Sequence, residues 1–236
     1  MLKAVFFDMY ETLISLYKSN PYFGGHISQD IGVNEKLFRS VWDSSETDRT
    51  TGKCTTAQIV ERIMRENGVY SAALLDKVMQ KRVASKERCF STMNEQIIPM
   101  LESLKARGLK LGVISNCFSE EAEVIRQSKF APYFDVLCLS FELGVCKPDR
   151  RIFEIALDGM SRALGEKLLP EECLYVGDGG SNELEAARAF GMNAVQAVWY
   201  INEVTEMILP GIEKHLSEIR KDFPQAATPM EITAFA

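Results

Sequence analysis

Leu2-Lys3-Ala4-Val5-Phe6-Phe7-Asp8-Met9-Tyr10-Glu11-Thr12-Leu13 is the stretch on which the fold turns. Leu2 to Phe7 is almost continuously apolar, which suits a strand buried on both faces of a parallel sheet, and the run stops at the carboxylate of Asp8. The same shape returns along the chain. Leu109 to Ile114 reads as a second strand ending at Ser115-Asn116, Asp135 to Leu139 as a third, and Cys173 to Val176 as a fourth ending at Gly177-Asp178. Ala194 to Val198 reads as a fifth. Helical patterns lie between them: Pro99 to Gly108, about Glu120 to Lys129, a stretch opened by Pro148 that turns Ile152, Phe153, Ile155 and Ala156 toward a core, and Ser181 to Phe190 stopped by Gly191. This alternation predicts an α/β fold of repeated βαβ units, a doubly wound parallel sheet with helices on both faces.

One block breaks the alternation. From Tyr17 to Thr92 the pattern holds three helices and no strand; Thr55-x-x-Gln58 has the form of a capping box, and Leu74, Leu75, Val78 and Met79 form an apolar stripe. Open α/β sheets bind ligands at the C-terminal ends of their strands, so a helical block inserted straight after the first strand is expected to cap that edge. The predicted organisation is a core of residues 1–16 and 93–236 with an α-helical cap of residues 17–92. Asp48, Arg49 and Lys53 around Gly52 are candidates to reach the cleft from a cap loop, against the competing reading of a solvated charged loop. The Ala/Thr/Pro-rich stretch from Gln225 to Ala236 is expected to be loosely held.

Composition narrows the function classes. The chain has 236 residues, 46% apolar and 25% charged, values of an ordinary globular protein. A net charge of −6 leaves no basic excess to displace counterions from a nucleic-acid backbone. No apolar run approaches the roughly 18 residues of a membrane span, and the first apolar run is too short for a signal peptide, so a cytoplasmic protein with neither nucleic acid nor membrane as partner is expected. The six cysteines (54, 89, 117, 138, 146 and 173) form no Cys-x-x-Cys pair and read as reduced thiols. The two histidines, His26 and His215, are too far apart in sequence to favour a histidine-based metal site or triad. The sequence is silent on oligomeric state.

Four polar clusters fall just after four of the predicted strands: Asp8 to Thr12, Ser115-Asn116, Lys147-Pro148, and Gly177 to Glu183. In a doubly wound sheet they converge on one crevice. Each has an ordinary explanation on its own: a turn-capping Asp, turn-forming Ser and Asn, a loop lysine, glycines that permit a tight turn. Gly177 and Gly179 begin a G-x-G-x-x-G pattern, but Asn182 stands where the third glycine belongs. Together the clusters supply carboxylates, a hydroxyl, an amide and one ammonium, a set suited to an anionic substrate and a carboxylate nucleophile or metal ligand.

These clusters resemble the four motifs of the haloacid dehalogenase (HAD) superfamily: Phe7 to Leu13, Gly112 to Asn116, Lys147-Pro148-Asp149-x-x-Ile152-Phe153, and Val176-Gly177-Asp178 through Gly191. The resemblance spans about residues 1 to 200, and the insertion looks like the helical cap of some members. It implies that Asp8 attacks the substrate to form an aspartyl ester, and that Ser115 and Lys147 hold the transferred group with Asn116 beside them. It further implies Mg²⁺ held by Asp8, Asp178 and the Tyr10 carbonyl, with Glu183 and Asn182 acting from behind. The substrate so implied is a small phosphorylated metabolite, cleaved through an aspartyl-phosphate.

The sequence departs from the phosphatase pattern at Tyr10. Phosphatases of the superfamily usually carry there an Asp that protonates the leaving group. Tyr at this place is what the 2-haloacid dehalogenases show, and halide needs no such acid. Against that reading, Phe153 stands where dehalogenases tend to carry Tyr, and Gly177-Asp178 is the metal-binding form of the phosphatases. A Mg²⁺-dependent phosphatase is the leading expectation; a metal-independent haloacid dehalogenase and a weakly catalytic ligand-binding member are the alternatives.

Overall fold

The structure, a computed structural model, describes residues 1–206 and 217–236; His215 lies outside the described residues. The chain enters β1 (Ala4–Phe7) and then runs through α1 (Gly24–Ile31), α2 (Glu35–Ser44), α3 (Glu46–Thr50), α4 (Thr56–Glu66) and α5 (Ala72–Cys89). It continues as α6 (Ile97–Ala106), β2 (Lys110–Ser115), α7 (Ser119–Gln127), β3 (Val136–Leu139), α8 (Ser140–Leu143) and α9 (Arg150–Leu164). Then come β4 (Cys173–Gly177), α10 (Glu183–Phe190), β5 (Asn193–Ala197), α11 (Trp199–Glu206), β6 (Gln225–Ala226) and α12 (Ile232–Phe235).

The strands form one all-parallel sheet in the order β3-β2-β1-β4-β5-β6. Chain order therefore reverses between β1 and β4, and a doubly wound sheet opens its binding crevice at that reversal. All four residues of β1 are fully buried. They alternate between layers: Val5 and Phe7 pack with Met100, Leu101 and Leu104 of α6, whereas Ala4 and Phe6 pack with Ile152, Phe153, Ala156 and Met160 of α9. Burying each phenylalanine stabilises by roughly 1.5–3 kcal/mol. Gly112 is required by the close approach of Phe6: a Cβ there would sit 2.6 Å from the ring.

The inserted helices α1 to α5 carry a hydrophobic cluster of their own, including Ile27, Phe38, Trp42, Val60, Ile63 and Met64. The capping box at α4 is present, with Gln58 N donating to Thr55 Oγ1 at 3.2 Å and Thr55 N to Gln58 Oε1 at 2.8 Å. Five helices stand where three patterns were legible, because α1 to α3 are short and follow one another almost without linkers.

The tail corrects the expectation of a loose end. Gln225 and Ala226 add a sixth strand beside β5, and Ile232 is fully buried. Two smaller corrections concern helix starts. Pro148 precedes α9 rather than opening it, because Asp149 caps the helix by accepting from Arg151 N at 2.9 Å. Ser181 and Asn182 lie outside α10 in left-handed conformation, with φ 54° and 51°, so that helix begins at Glu183. No helix among the described residues is long and apolar enough to cross a membrane.

Candidate active site

Asp8 is the first residue past β1, and Asp178 the first past β4. Register sets them side by side: Phe7 pairs with Val176, and Asp8 N donates to Val176 O at 2.8 Å. Glu183, at the start of α10, turns back to the same point. One carboxylate oxygen from each of Asp8, Asp178 and Glu183 falls within 4.8 Å of the others, and all three residues are buried. Gly177 makes this possible, since a Cβ there would collide with the Glu183 carboxylate. Two backbone donors steady the acids: Gly180 N donates to Asp178 Oδ1 at 3.1 Å and Gly179 N to Glu183 Oε1 at 3.3 Å. Ser217 Oγ donates to Asp178 Oδ2 at 2.6 Å, and Gln196 Nε2 holds the Asp178 main chain at 2.7 Å.

The Lys147 ammonium enters between the acids. It donates to Asp8 Oδ1 at 2.5 Å, to Glu183 Oε2, and to the Tyr175 hydroxyl at 3.1 Å. Tyr175 OH in turn donates to Glu183 Oε2 at 2.8 Å. Burial works against the lysine's charge, but Asp8 and Glu183 outweigh it and raise its pKa above the usual value. The acids shift upward as well. Burial first, then repulsion by Asp8, pushes Glu183 to about 8. Burial raises Asp8 too, with Lys147 opposing and Asp178 assisting. Two like charges about 4 Å apart repel by about 4 kcal/mol at an effective dielectric near 20. Three carboxylates share one ammonium, and the upward shifts of Glu183 and Asp8 express that crowding. A hard divalent cation would relieve it and favour the ionised forms, and an all-oxygen donor set matches Mg²⁺.

Asn116, just past β2, ties in the loop before α9 and the turn after β4: Lys147 N donates to Asn116 Oδ1 at 2.7 Å, and Asn116 Nδ2 to Lys147 O at 3.0 Å and Ser181 Oγ at 3.3 Å. Ser115 closes β2 fully buried, its hydroxyl donating to Asn116 O at 3.4 Å. Tyr10 turns its ring toward the inserted helices, with Lys86 Nζ 5.5 Å from the ring centroid. Burial and the nearby Glu121 hold its phenol well above the ordinary value, so it keeps its proton at neutral pH. Asn182 is exposed in its left-handed turn, and its neighbour Ser181 is the residue that reaches Asn116.

A sequence model of haloacid dehalogenase-like hydrolases matches residues 2–191. The chain belongs to this family. Over 203 residues it is 24% identical to a hydrolase of Schizosaccharomyces pombe, an alignment covering 82% of this chain and 89% of that protein. It is 35% identical over 100 residues to the glyceraldehyde 3-phosphate phosphatase of Methanocaldococcus jannaschii, covering 42% of this chain and 41% of the phosphatase. Among solved structures it is similar in fold to the 2-haloacid dehalogenase of Pseudomonas syringae pv. Tomato DC3000, with TM-score 0.65, 19% identity and coverage of 99% and 97%. A HAD phosphatase from Thermococcus onnurineus is as similar, with TM-score 0.62, 18% identity and the same coverage. The HAD fold is common to both reactions, so the choice between them rests on the site.

The structure gathers Asp8, Lys147, Asp178 and Glu183 at one point and ties Ser115 and Asn116 to its rim. Three residues acquire places that sequence reasoning did not give them. Tyr175 carries a buried hydroxyl to Lys147 and Glu183, with Phe153 packed against its ring at 5.8 Å. The signal was available, since a tyrosine in a fully buried strand needs a partner for its hydroxyl. Glu11 is buried and accepts from Ser15 Oγ and Leu16 N, each at 2.7 Å. Burial pushes it to about 8, against those two donors. Thr12 is fully buried, and its hydroxyl has no partner among the described residues. Of the three cap candidates, Asp48 and Lys53 pair with each other at 2.9 Å in solvent, whereas Arg49 is buried.

Proposed function

We propose that this HAD-family hydrolase is a Mg²⁺-dependent phosphatase of small phosphorylated metabolites, with Asp8 as nucleophile and residues 17–92 as the cap over its active site. The observation that carries the reading is the buried triad of Asp8, Asp178 and Glu183 with a single ammonium among them. A monoanionic haloacid would need no such accumulation of carboxylates; a phosphate dianion delivered to a carboxylate needs a cation there. Bound to Asp8, Asp178 and the Tyr10 carbonyl, Mg²⁺ would supply charge neutralisation for the phosphoryl oxygens.

The chain's own residues do the rest. An Asp8 carboxylate oxygen bonds to phosphorus as the bond from phosphorus to the leaving oxygen breaks. Lys147 steadies the ionised form of Asp8 and, with Ser115, holds the transferred group, and Asn116 beside them fixes the Lys147 main chain. Water then attacks phosphorus, phosphate leaves, and the Asp8 carboxylate is restored. With Tyr10 protonated and turned to the cap, the leaving oxygen takes its proton from water, so aryl and acyl phosphates should be favoured over alkyl phosphates. Phosphate and halide release, each measured with and without Mg²⁺ on phosphomonoesters and on 2-haloacids, tests the proposal. Mg²⁺-dependent phosphate release is expected. Halide release that ignores Mg²⁺, with no phosphate from any substrate, would establish the dehalogenase instead.

A further inference from the structure

Arg49, in α3, is 1% exposed and packed against two aromatic rings, its Cζ 3.8 Å from the Trp42 centroid and 4.2 Å from that of Phe118. Trp42 belongs to the inserted helices and Phe118 follows β2, so the guanidinium sits where the two meet. Its Nε donates to Ser45 Oγ at 3.1 Å and its Nη2 to Trp42 O at 2.8 Å, but buried Nη1 has no hydrogen-bond partner among the described residues. No carboxylate among the described residues pairs with it.

The cations around it are already matched. Arg82 pairs with Glu120 and, at 3.5 Å, with Glu121; Lys86 pairs with Glu121 at 2.7 Å; Arg39 pairs with Glu35 at 3.0 Å. Arg49, Arg82 and Lys86 line a cavity of about 340 Å³ with walls that include Tyr17, Trp42 and Phe118. Glu46 also lines it, but forms no ion pair with Arg49. The cavity borders the nucleophile's own loop: Lys86 stands over Tyr10, two residues beyond Asp8.

We propose that the free edge of Arg49 binds a carboxylate at the far end of the substrate, so that the enzyme selects small phosphorylated carboxylic acids; this rests on the phosphatase reading above. A buried cation without a counter-ion is costly, and an entering anion removes the cost. Trp42 and Phe118 lie against the guanidinium carbon, and the N–H groups of a guanidinium point out in its plane, the geometry a carboxylate matches. Arg49 is the buried cation of this lining without an ion pair among the described residues, and a monoanion would supply one. The carboxylate of the lining without an ion pair, Glu46, is exposed, and the apolar walls fit a short aliphatic body. Burial and Arg82 draw the Arg49 pKa down to about 10, which leaves the charge in place at neutral pH.

The test uses non-hydrolysable probes and the full chain with Mg²⁺. Calorimetry compares phosphonoacetate, 3-phosphonopropionate and 4-phosphonobutyrate with alkylphosphonates of equal length. At one or more chain lengths the carboxylate member should bind about 10- to 100-fold tighter, the worth of one charge-assisted hydrogen-bonded contact. Arg49→Met should abolish the preference, and Arg49→Lys, which keeps the charge without the fork, should retain part of it. Carboxylate members binding no tighter at any length, or an undiminished preference in Arg49→Met, would overturn the proposal while leaving the phosphatase reading intact. Failure of both probe sets to bind would remove the phosphate site, and the inference with it.

Discussion

Tyr175→Phe removes one oxygen atom from the centre of the site and changes nothing else in shape. That oxygen accepts from Lys147 Nζ at 3.1 Å and donates to Glu183 Oε2 at 2.8 Å, and the residue is fully buried. A hydrogen bond to a charged group contributes about 1.5–3 kcal/mol, and a buried partner left unsatisfied costs about 1–3 kcal/mol. Glu183 keeps its contacts with Lys147 and Gly179 N, so it is weakened rather than orphaned. We therefore expect a loss of about 2–3 kcal/mol. For a chain of this size that is roughly 4–12 °C in Tm. Urea unfolding monitored by circular dichroism, without metal, measures it. A change under about 0.5 kcal/mol would refute the reasoning, because the hydroxyl would then not be held between the two charges.

Two further outcomes follow from the same geometry. Tyr10→Asp should raise turnover of alkyl phosphates toward that of aryl phosphates, with an upper bound of about 10²- to 10⁴-fold for restored general acid help; unchanged alkyl rates in a folded variant would show that proton supply does not limit them. Glu120, buried against Arg82, has its pKa held below the usual 4.5, since Arg82 and its hydrogen bonds outweigh burial. A depressed folded pKa contributes stability that is present above the unfolded value and lost as pH falls through the folded one. The Tm difference between wild type and Glu120→Gln should therefore shrink as pH drops below about 4.5, and a gap constant down to pH 3 would contradict this.

The core of the fold was legible because its signal is local. An apolar run ending in a polar residue can be read residue by residue, and Asp8, Ser115 and Asp178 all stand at the ends of such runs. What sequence reasoning missed depends on partners far along the chain. Gln225 and Ala226 form a strand of two residues in an Ala/Thr/Pro-rich stretch, visible only once β5 offers an edge. Arg49 reads in the sequence as a cleft candidate on a par with Asp48 and Lys53, and what sets it apart is packing against Phe118, 69 positions on. Tyr175 read as one more apolar strand residue, because the ammonium that needs its oxygen arrives from Lys147 on a different connection.

The central claim is that a phosphoryl group passes through Asp8. The direct measurement is mass spectrometry of the protein acid-quenched during turnover of an aryl phosphate, with the modified peptide mapped. The account expects one phosphoryl group on the peptide bearing Asp8, formed with Mg²⁺, absent when the metal is chelated, and absent in Asp8→Asn. Sustained phosphate release with no phosphoryl group on that peptide, or turnover surviving in Asp8→Asn at near the wild-type rate, would contradict it.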